Sequence, residues 1–196
     1  GYENFPEDMP EETRFGTSLD SRKLEGKCRE TMLGMGFQEV VTLTLTSSKI
    51  LHDYTGRESD NEATIANPVT EDYHQLRSSI LPNLLELLKN NRHRELPQNI
   101  FEVGQIVKQD SNKISLAWIE LASRATFSKA RSTAESIIHR LQIKADTIGE
   151  EDPIFIPGRS VYLKNDNITI KYGEIHPRTL EKFNLNYPAI AGEIHW

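Results

Sequence analysis

The chain has 196 residues, of which 37% are hydrophobic and 27% charged, enough to form one sizeable core. Its net charge of −6 argues against a protein that binds nucleic acid unaided, and no apolar run approaches the roughly 20 residues that span a bilayer. The single cysteine, Cys28, cannot form an internal disulfide, which favours a reducing, intracellular compartment.

The first residues resemble a linker that leads into the domain. The chain begins with Gly1 and has neither a basic nor an apolar leader, so we expect a piece of a longer polypeptide and not a secretory precursor. Residues 1–16 contain two prolines and five acidic residues without periodicity. They are predicted to form an arm or linker, which leaves residues 17–196 as the core domain.

A helix followed by a strand is predicted over residues 17–46. Thr17 and Asp20 resemble a capping box at the start of the helix, and Gly36 is suited to end it. Residues 41–46 alternate apolar side chains with threonine, as in a half-buried strand. The apolar face of the predicted helix, at spacings of four, four and three, consists of Leu24, Cys28, Met32 and Met35.

Hairpins and helices alternate irregularly in the rest of the chain. A polar loop is predicted over residues 52–75, and a helix begins near Ser78 with Pro82 in its first turn. Strands are predicted at 100–107, 114–121, 161–163, 168–172 and 189–194, and further helices at 128–142 and 178–183. This order predicts an α+β fold with a mainly antiparallel sheet.

Motifs that would identify an active site are absent from the sequence. There is no phosphate-binding glycine loop, the six histidines are scattered without metal-ligand spacing, and Cys28 lies in an apolar helix face. Motif chemistry alone therefore assigns no catalytic or metal-binding residue.

Five segments, taken together and in order, are more informative. They are GMGFQEV at 34–40, NPVTEDY through LRSSILPNLL at 67–85, IFEVG at 100–104, PGRS at 157–160 and GEIHP at 173–177. In this order they resemble the C-terminal core of phenylalanyl-tRNA synthetase β subunits, and the resemblance covers nearly the whole chain. The short ending is similar to the archaeal and eukaryotic type of that family.

The resemblance implies a class II aminoacyl-tRNA synthetase-like core, an antiparallel sheet flanked by helices, that has lost catalysis. Lys108 and Asp110 stand where an active enzyme has an arginine that grips ATP and a glutamate, and lysine cannot offer the bidentate fork of arginine. Arg178 is the counterpart, by order, of a second ATP-binding arginine, but Pro177 interrupts that motif. We therefore expect these positions to be degenerate and the chain to have no catalytic residue.

The resemblance also implies a structural role in a cytoplasmic ligase. The partner would be the α subunit in an (αβ)2 heterotetramer, and that subunit would carry the ATP and magnesium site. This chain would bind no cofactor itself, and tRNA would be held by the whole enzyme. The apolar face of the 17–46 unit contributes to the subunit interface, packs on the domain's own sheet, or does both.

Two other functions stay open at this point. A stand-alone class II-like ligase would need Lys108 and Arg178 to replace the two arginines. An RNA-binding module could use residues 92–94 (Arg-His-Arg) on phosphates, but the net charge of −6 disfavours it.

Overall fold

A seven-stranded sheet organises the part of the chain that the computed structural model describes, residues 2–6, 15–59, 62–68, 70–108 and 111–196. The strands are β1 (Gln38–Glu39), β2 (Leu45–Thr46), β3 (Gln75–Leu76), β4 (Gln98–Lys108), β5 (Ser111–Leu121), β6 (Asp146–Ile148), β7 (Phe155–Lys164), β8 (Thr169–Ile175) and β9 (Ala189–His195). The helices are α1 (Asp20–Gly34), α2 (Leu81–Asn90), α3 (Phe127–Arg140) and α4 (Pro177–Lys182).

The order of strands in the large sheet is β1-β4-β5-β9-β8-β7-β6, and every neighbouring pair except β1 with β4 is antiparallel. The predicted hairpin of β4 and β5 is present and longer than expected, since it is in register from Gln98 opposite Leu121 to Lys108 opposite Ser111. A separate ribbon joins β2 to β3. The predicted α+β fold with a mainly antiparallel sheet is thus confirmed.

Helices cover both faces of this sheet. In β5, Ala117 and Ile119 belong to the apolar cluster that α2 covers, whereas Leu116 and Trp118 belong to the cluster beneath α1 and α3. Because successive side chains of a strand point to opposite faces, a strand covered on both sides is apolar throughout. This explains why residues 114–121 show no polar alternation.

The predicted apolar face of α1 lies in the second of these clusters. Cys28 and Met32 are fully buried there, and Leu24 and Met35 are half-buried against it. The helix ends as predicted, because Gly36 has a φ of +81°, a conformation that costs glycine little. Its predicted capping box is wrong, since the helix begins at Asp20 behind an N-cap Leu19 that supplies no side-chain hydrogen bond.

The predicted half-buried strand over residues 41–46 is wrong for residues 41–44 and holds only for its end, β2. Only β1 and β2 are strands in this region, and the apolar side chains between them point into solvent: Val41 is 87% exposed and Leu43 is 60% exposed. The side chain that turns inward is Thr42, whose hydroxyl donates to the Glu102 carboxylate. A buried carboxylate must be hydrogen-bonded, and this requirement decides the orientation of the segment.

The remaining expectations differ only in detail. Helix α2 begins at Leu81, later than predicted, with Pro82 in its first turn as expected. Most of the predicted arm, residues 7–14, lies outside the described residues. No helix in the described ranges is long and apolar enough to cross a membrane.

Gly192 of β9 lies opposite Trp118 of β5, and a Cβ atom at this glycine would come within 2.2 Å of the indole ring. We expect Gly192→Ala to lower the free energy of unfolding by about 3 kcal/mol or more, because a buried ring cannot move aside without disturbing the core. Urea denaturation measures this. The matched control is Gly26→Ala in α1, where a Cβ meets no atom within 4 Å and should raise that free energy by about 0.5–1 kcal/mol. Equal effects at the two sites would contradict the packing described here.

Candidate functional site

A cavity of about 450 Å³ opens on the face of the sheet that α2 covers. Lys108, Lys171 and Glu193 reach it from β4, β8 and β9, since they alternate with residues that face α1 and α3. The segments 51–63, 78–79 and 151–153 close its sides. We call it the charged cleft; its ionisable lining consists of His52, Arg57, Glu58, Glu62, Lys108, Glu151, Asp152, Lys171, Glu193 and His195.

Asp152 forms ion pairs with two cations on one side of the cleft. Arg57 binds it through both ends of the guanidinium, with Nε 2.9 Å from Oδ1 and Nη2 2.9 Å from Oδ2. Lys171 Nζ lies 3.0 Å from the same Oδ2. Burial opposes ionisation of Asp152, but the two cations outweigh it and hold the pKa of the carboxyl well below its usual range. Asp152 is therefore a carboxylate with its acceptor positions occupied.

Glu193 is the most deeply buried charge of the cleft. Its Oε1 accepts hydrogen bonds from the backbone N–H of Ile80 at 2.6 Å and from the Ser115 hydroxyl at 3.0 Å, and its Oε2 accepts from the Ser79 hydroxyl at 2.5 Å. Burial opposes its ionisation, yet these donors and the neighbouring His195 and Arg57 keep the pKa of Glu193 well below its usual range. Burial lowers the pKa of His195, whose Nε2 lies 3.3 Å from Glu193 Oε1.

A third acid, Glu62, is satisfied in the same way. It accepts hydrogen bonds from the hydroxyls of Ser59 and Ser78, both at 3.2 Å, and from Gln75 Nε2 at 3.1 Å. His52 Nε2 lies 3.1 Å from Glu62 Oε1, the oxygen to which Ser78 donates. These three carboxylates of the cleft thus accept hydrogen bonds from cations, hydroxyls, a side-chain amide and a backbone N–H of the same domain.

The predicted counterparts of ATP-binding residues do not meet in this cleft. Lys108, at the end of β4, lines it. Arg178, exposed at the start of α4, lines a neighbouring cavity of about 350 Å³ together with Lys182. Asp110 lies outside the described residues. Lys108 and Arg178 therefore line different cavities, and the degenerate character of the three positions stays a prediction.

The sequence patterns do not predict that the acidic and basic residues of the cleft come together. Arg57 and Asp152 are 95 residues apart, and nothing in their surroundings links them. Glu193 gave a usable signal, because it is a charged residue inside the otherwise apolar strand 189–194. A buried charge needs specific partners, so that position alone indicated a polar site beneath the sheet.

The four residues predicted for a subunit interface contact the domain's own core, in which Cys28 and Met32 are fully buried while Leu24 and Met35 pack against it half-buried. Burial raises the pKa of the Cys28 thiol to about 12. The packing alternative therefore holds for Cys28 and Met32, while a contact between this region and a partner stays a prediction. The large apolar side chains of this region that are exposed are Phe15, Leu19, Leu33, Val41 and Leu43.

Known proteins resemble this chain over its whole length. Residues 5–196 match the family described as the phenylalanyl tRNA synthetase beta chain CLM domain. The chain is 35% identical to the phenylalanine–tRNA ligase beta subunit of Archaeoglobus fulgidus, 34% to that of Methanocaldococcus jannaschii and 32% to that of Methanococcoides burtonii, over 99% of its residues in each case. It spans about a third of the length of these archaeal relatives, 36% for the first.

One solved structure shows the same fold. The pyrrolysyl tRNA synthetase of Desulfitobacterium hafniense superimposes with a TM-score of 0.67, over 89% of this chain and 65% of that chain, at 18% identity. At this identity the likeness concerns the fold alone. It confirms the predicted class II synthetase-like architecture.

The ion pairs of the cleft predict a loss of stability in acid. The pKa values of Asp152 and Glu193 are lower in the folded protein than in the unfolded chain, so their contribution is complete above the ordinary carboxyl pKa of about 4. It is lost as the pH falls through that value toward the lower folded pKa values. We expect the free energy of unfolding, from urea titrations, to fall steadily from about pH 5 to about pH 3.

Asp152→Asn tests the source of this pH dependence. The variant should be about 3–5 kcal/mol less stable near neutral pH, because Arg57 and Lys171 lose their counter-charge, and its stability should fall less steeply in acid. Asp20→Asn is the matched control, since Asp20 is 98% exposed in its pair with Lys23. If the free energy of unfolding of Asp152→Asn falls with pH as steeply as that of the wild type, other groups cause the acid sensitivity.

The buried thiol predicts chemical inertness. With its pKa raised to about 12, native Cys28 should not be alkylated by iodoacetamide at a pH of about 8, whereas the unfolded chain should react fully. Mass spectrometry of the two samples measures the difference. Rapid alkylation of the native protein would show that the packing of α1 on the sheet opens readily.

Proposed function

Because the chain belongs to the family of phenylalanyl-tRNA synthetase beta chains, we propose that it is a non-catalytic, synthetase-like structural core of a β subunit. In this role it supports an α subunit and (αβ)2 assembly, and the complete enzyme joins phenylalanine to its tRNA with ATP. ATP and Mg²⁺ act at the site of the α subunit, and tRNA is held by the whole enzyme. We place this enzyme in the cytoplasm.

The state of the charged cleft carries this proposal. Nucleotide phosphates bind to cations with unoccupied hydrogen-bond donors, arginine above all. In this cleft Arg57 is already bound to Asp152 at both ends and to Ser79 through Nη1 at 2.9 Å, and Lys171 is bound to Asp152. A phosphate would have to displace the carboxylate and would meet its charge.

The exposed apolar residues support the assembly part of the proposal. Leu33 of α1 is 56% exposed, and Val41 and Leu43 follow on the segment between β1 and β2. These residues belong to the helix-to-strand unit that the sequence indicated as an interface, although on a different face from the one predicted. Apolar side chains that an isolated domain leaves in solvent are suited to contact with a partner subunit.

The alternative of an ATP site in this chain is tested in the assembled enzyme. We expect the double variant Lys108→Met, Arg178→Gln, made in the full-length β subunit, to leave phenylalanine-dependent ATP–pyrophosphate exchange within about twofold of wild type. A loss of about tenfold or more, with assembly intact by native mass, would favour a working nucleotide site here. Exchange by the β subunit without its α partner would support the stand-alone ligase.

The partner surface is tested by placing charge on it. We expect Val41→Asp in the full-length β subunit to weaken association with the α subunit by about tenfold or more, because a carboxylate would be buried against an apolar surface. The thermal stability of the free subunit should stay unchanged, since the side chain is exposed. Tyr187→Asp, at an exposed aromatic residue far along the chain, is the control, and equal losses in both variants would argue against a specific surface.

A further inference from the structure

The exposed segment formed by residues 41–44 is held in place by several hydrogen bonds, among them one from the Asn83 side-chain amide to the carbonyl of Leu43 at 3.0 Å. The backbone N–H of Val40, just before it, donates to the carbonyl of Phe101 at 2.9 Å. Thr42 donates twice to Glu102 Oε2, from its backbone N–H at 3.1 Å and from its hydroxyl at 2.6 Å. The carbonyl of Thr44 accepts from the backbone N–H of Arg77 at 3.0 Å. We call residues 41–44 the strap.

A buried ion pair lies directly beneath the strap. Arg77 Nη2 is 2.7 Å from Glu102 Oε1, and each side chain is only 3% exposed. Arg77 also donates from Nη1 to the Thr42 hydroxyl at 2.9 Å and from Nε to the carbonyl of Gln105 at 3.0 Å. A Cβ at Gly104 would come within 2.6 Å of Nη2, so the absence of a side chain there leaves room for the guanidinium.

This arrangement does not serve the domain's own core. Ordering a backbone segment costs conformational entropy, which is normally offset by burying its apolar side chains. Here the ordered strap leaves Val41 and Leu43 in solvent and turns the side chain of Thr42 inward. A buried ion pair is a poor source of net stability, but it defines one geometry. The pair therefore fixes where the two apolar side chains project.

The chemistry of the strap limits what it can bind. Residues 40–48 (VVTLTLTSS) contain no charged side chain, in a chain with 27% charged residues. Without a cation the strap offers nothing to the phosphates of RNA, so its complement is a neutral, apolar protein surface. The neighbouring exposed Leu33 continues the same apolar character onto α1.

We propose that the Arg77–Glu102 pair is a positioning clamp, which holds the strap ready so that Val41 and Leu43 enter an apolar groove on the α subunit. This inference rests on the proposed structural role of the chain. A segment that is ordered before binding loses less entropy on association, so the clamp contributes to affinity without touching the partner. Arg77 and Glu102 are thus positioning residues of the subunit interface.

Thr42→Val tests the clamp with little disturbance of shape. It removes the two hydrogen bonds of the hydroxyl, while Val41, Leu43 and the ion pair itself are retained. In the full-length β subunit we expect affinity for the α subunit to fall about fivefold, and amide exchange of residues 41–44 in the free subunit to accelerate by a similar factor. Thr42→Ser, which keeps the hydroxyl, should restore both. The matched control is Thr44→Val, an exposed threonine two residues away, with affinity within about twofold of wild type.

The outcomes separate the clamp from the function on which it rests. If Val41→Asp weakens association and Thr42→Val does not, the interface stands and the clamp is wrong. If neither variant weakens it, the strap is not the α-subunit surface. If Thr42→Val weakens association but leaves amide exchange of residues 41–44 unchanged, the preordering mechanism is wrong. If the variants abolish self-association of the free β subunit and leave its association with the α subunit intact, the strap binds a second copy of this chain.

Discussion

The buried carboxylate of Glu193 determines how the helical layer joins the sheet. It lies within β9, close to the middle of the sheet, where an ion without partners would be very costly. Ser115 of β5 supplies one donor, and the chain just before α2 supplies two more through Ser79 and the N–H of Ile80. Because a carboxylate is also favoured at the positive end of a helix, this contact fixes the start of α2 on the sheet.

One short segment contacts both the strap and the charged cleft. Residues 77–80 carry Arg77, which pairs with Glu102 beneath the strap, and Ser79, which joins Glu193 to Arg57 in the charged cleft. The cleft and the strap are therefore both attached to one short stretch of backbone. Their cations and carboxylates are paired within the domain, and the strap leaves apolar side chains exposed, as suits a core whose proposed role is to hold another subunit.

Local patterns in the sequence predict most helices and strands, but they do not predict the buried polar contacts. The hairpin of β4 and β5, the end of α1 at Gly36 and the inward face of α1 all depend on residues close in sequence, and they were predicted correctly. The predicted strand over residues 41–46 is absent at residues 41–44 because Glu102, 60 residues from Thr42, binds that residue and turns the apolar side chains outward. The start of α2 was placed too early for the same reason, since Ser79 is engaged by Glu193 and not by the helix itself.

The matched charges of the cleft also affect how this sequence could change over evolutionary time. Freeing Arg57 for a ligand requires the loss of Asp152, but that loss leaves Arg57 and Lys171 together without a counter-charge. An isolated step of this kind removes about 3–5 kcal/mol, a large part of the stability of an ordinary domain. A substitution at any one of these three positions therefore calls for compensating changes at the other two, so the three residues are expected to change together.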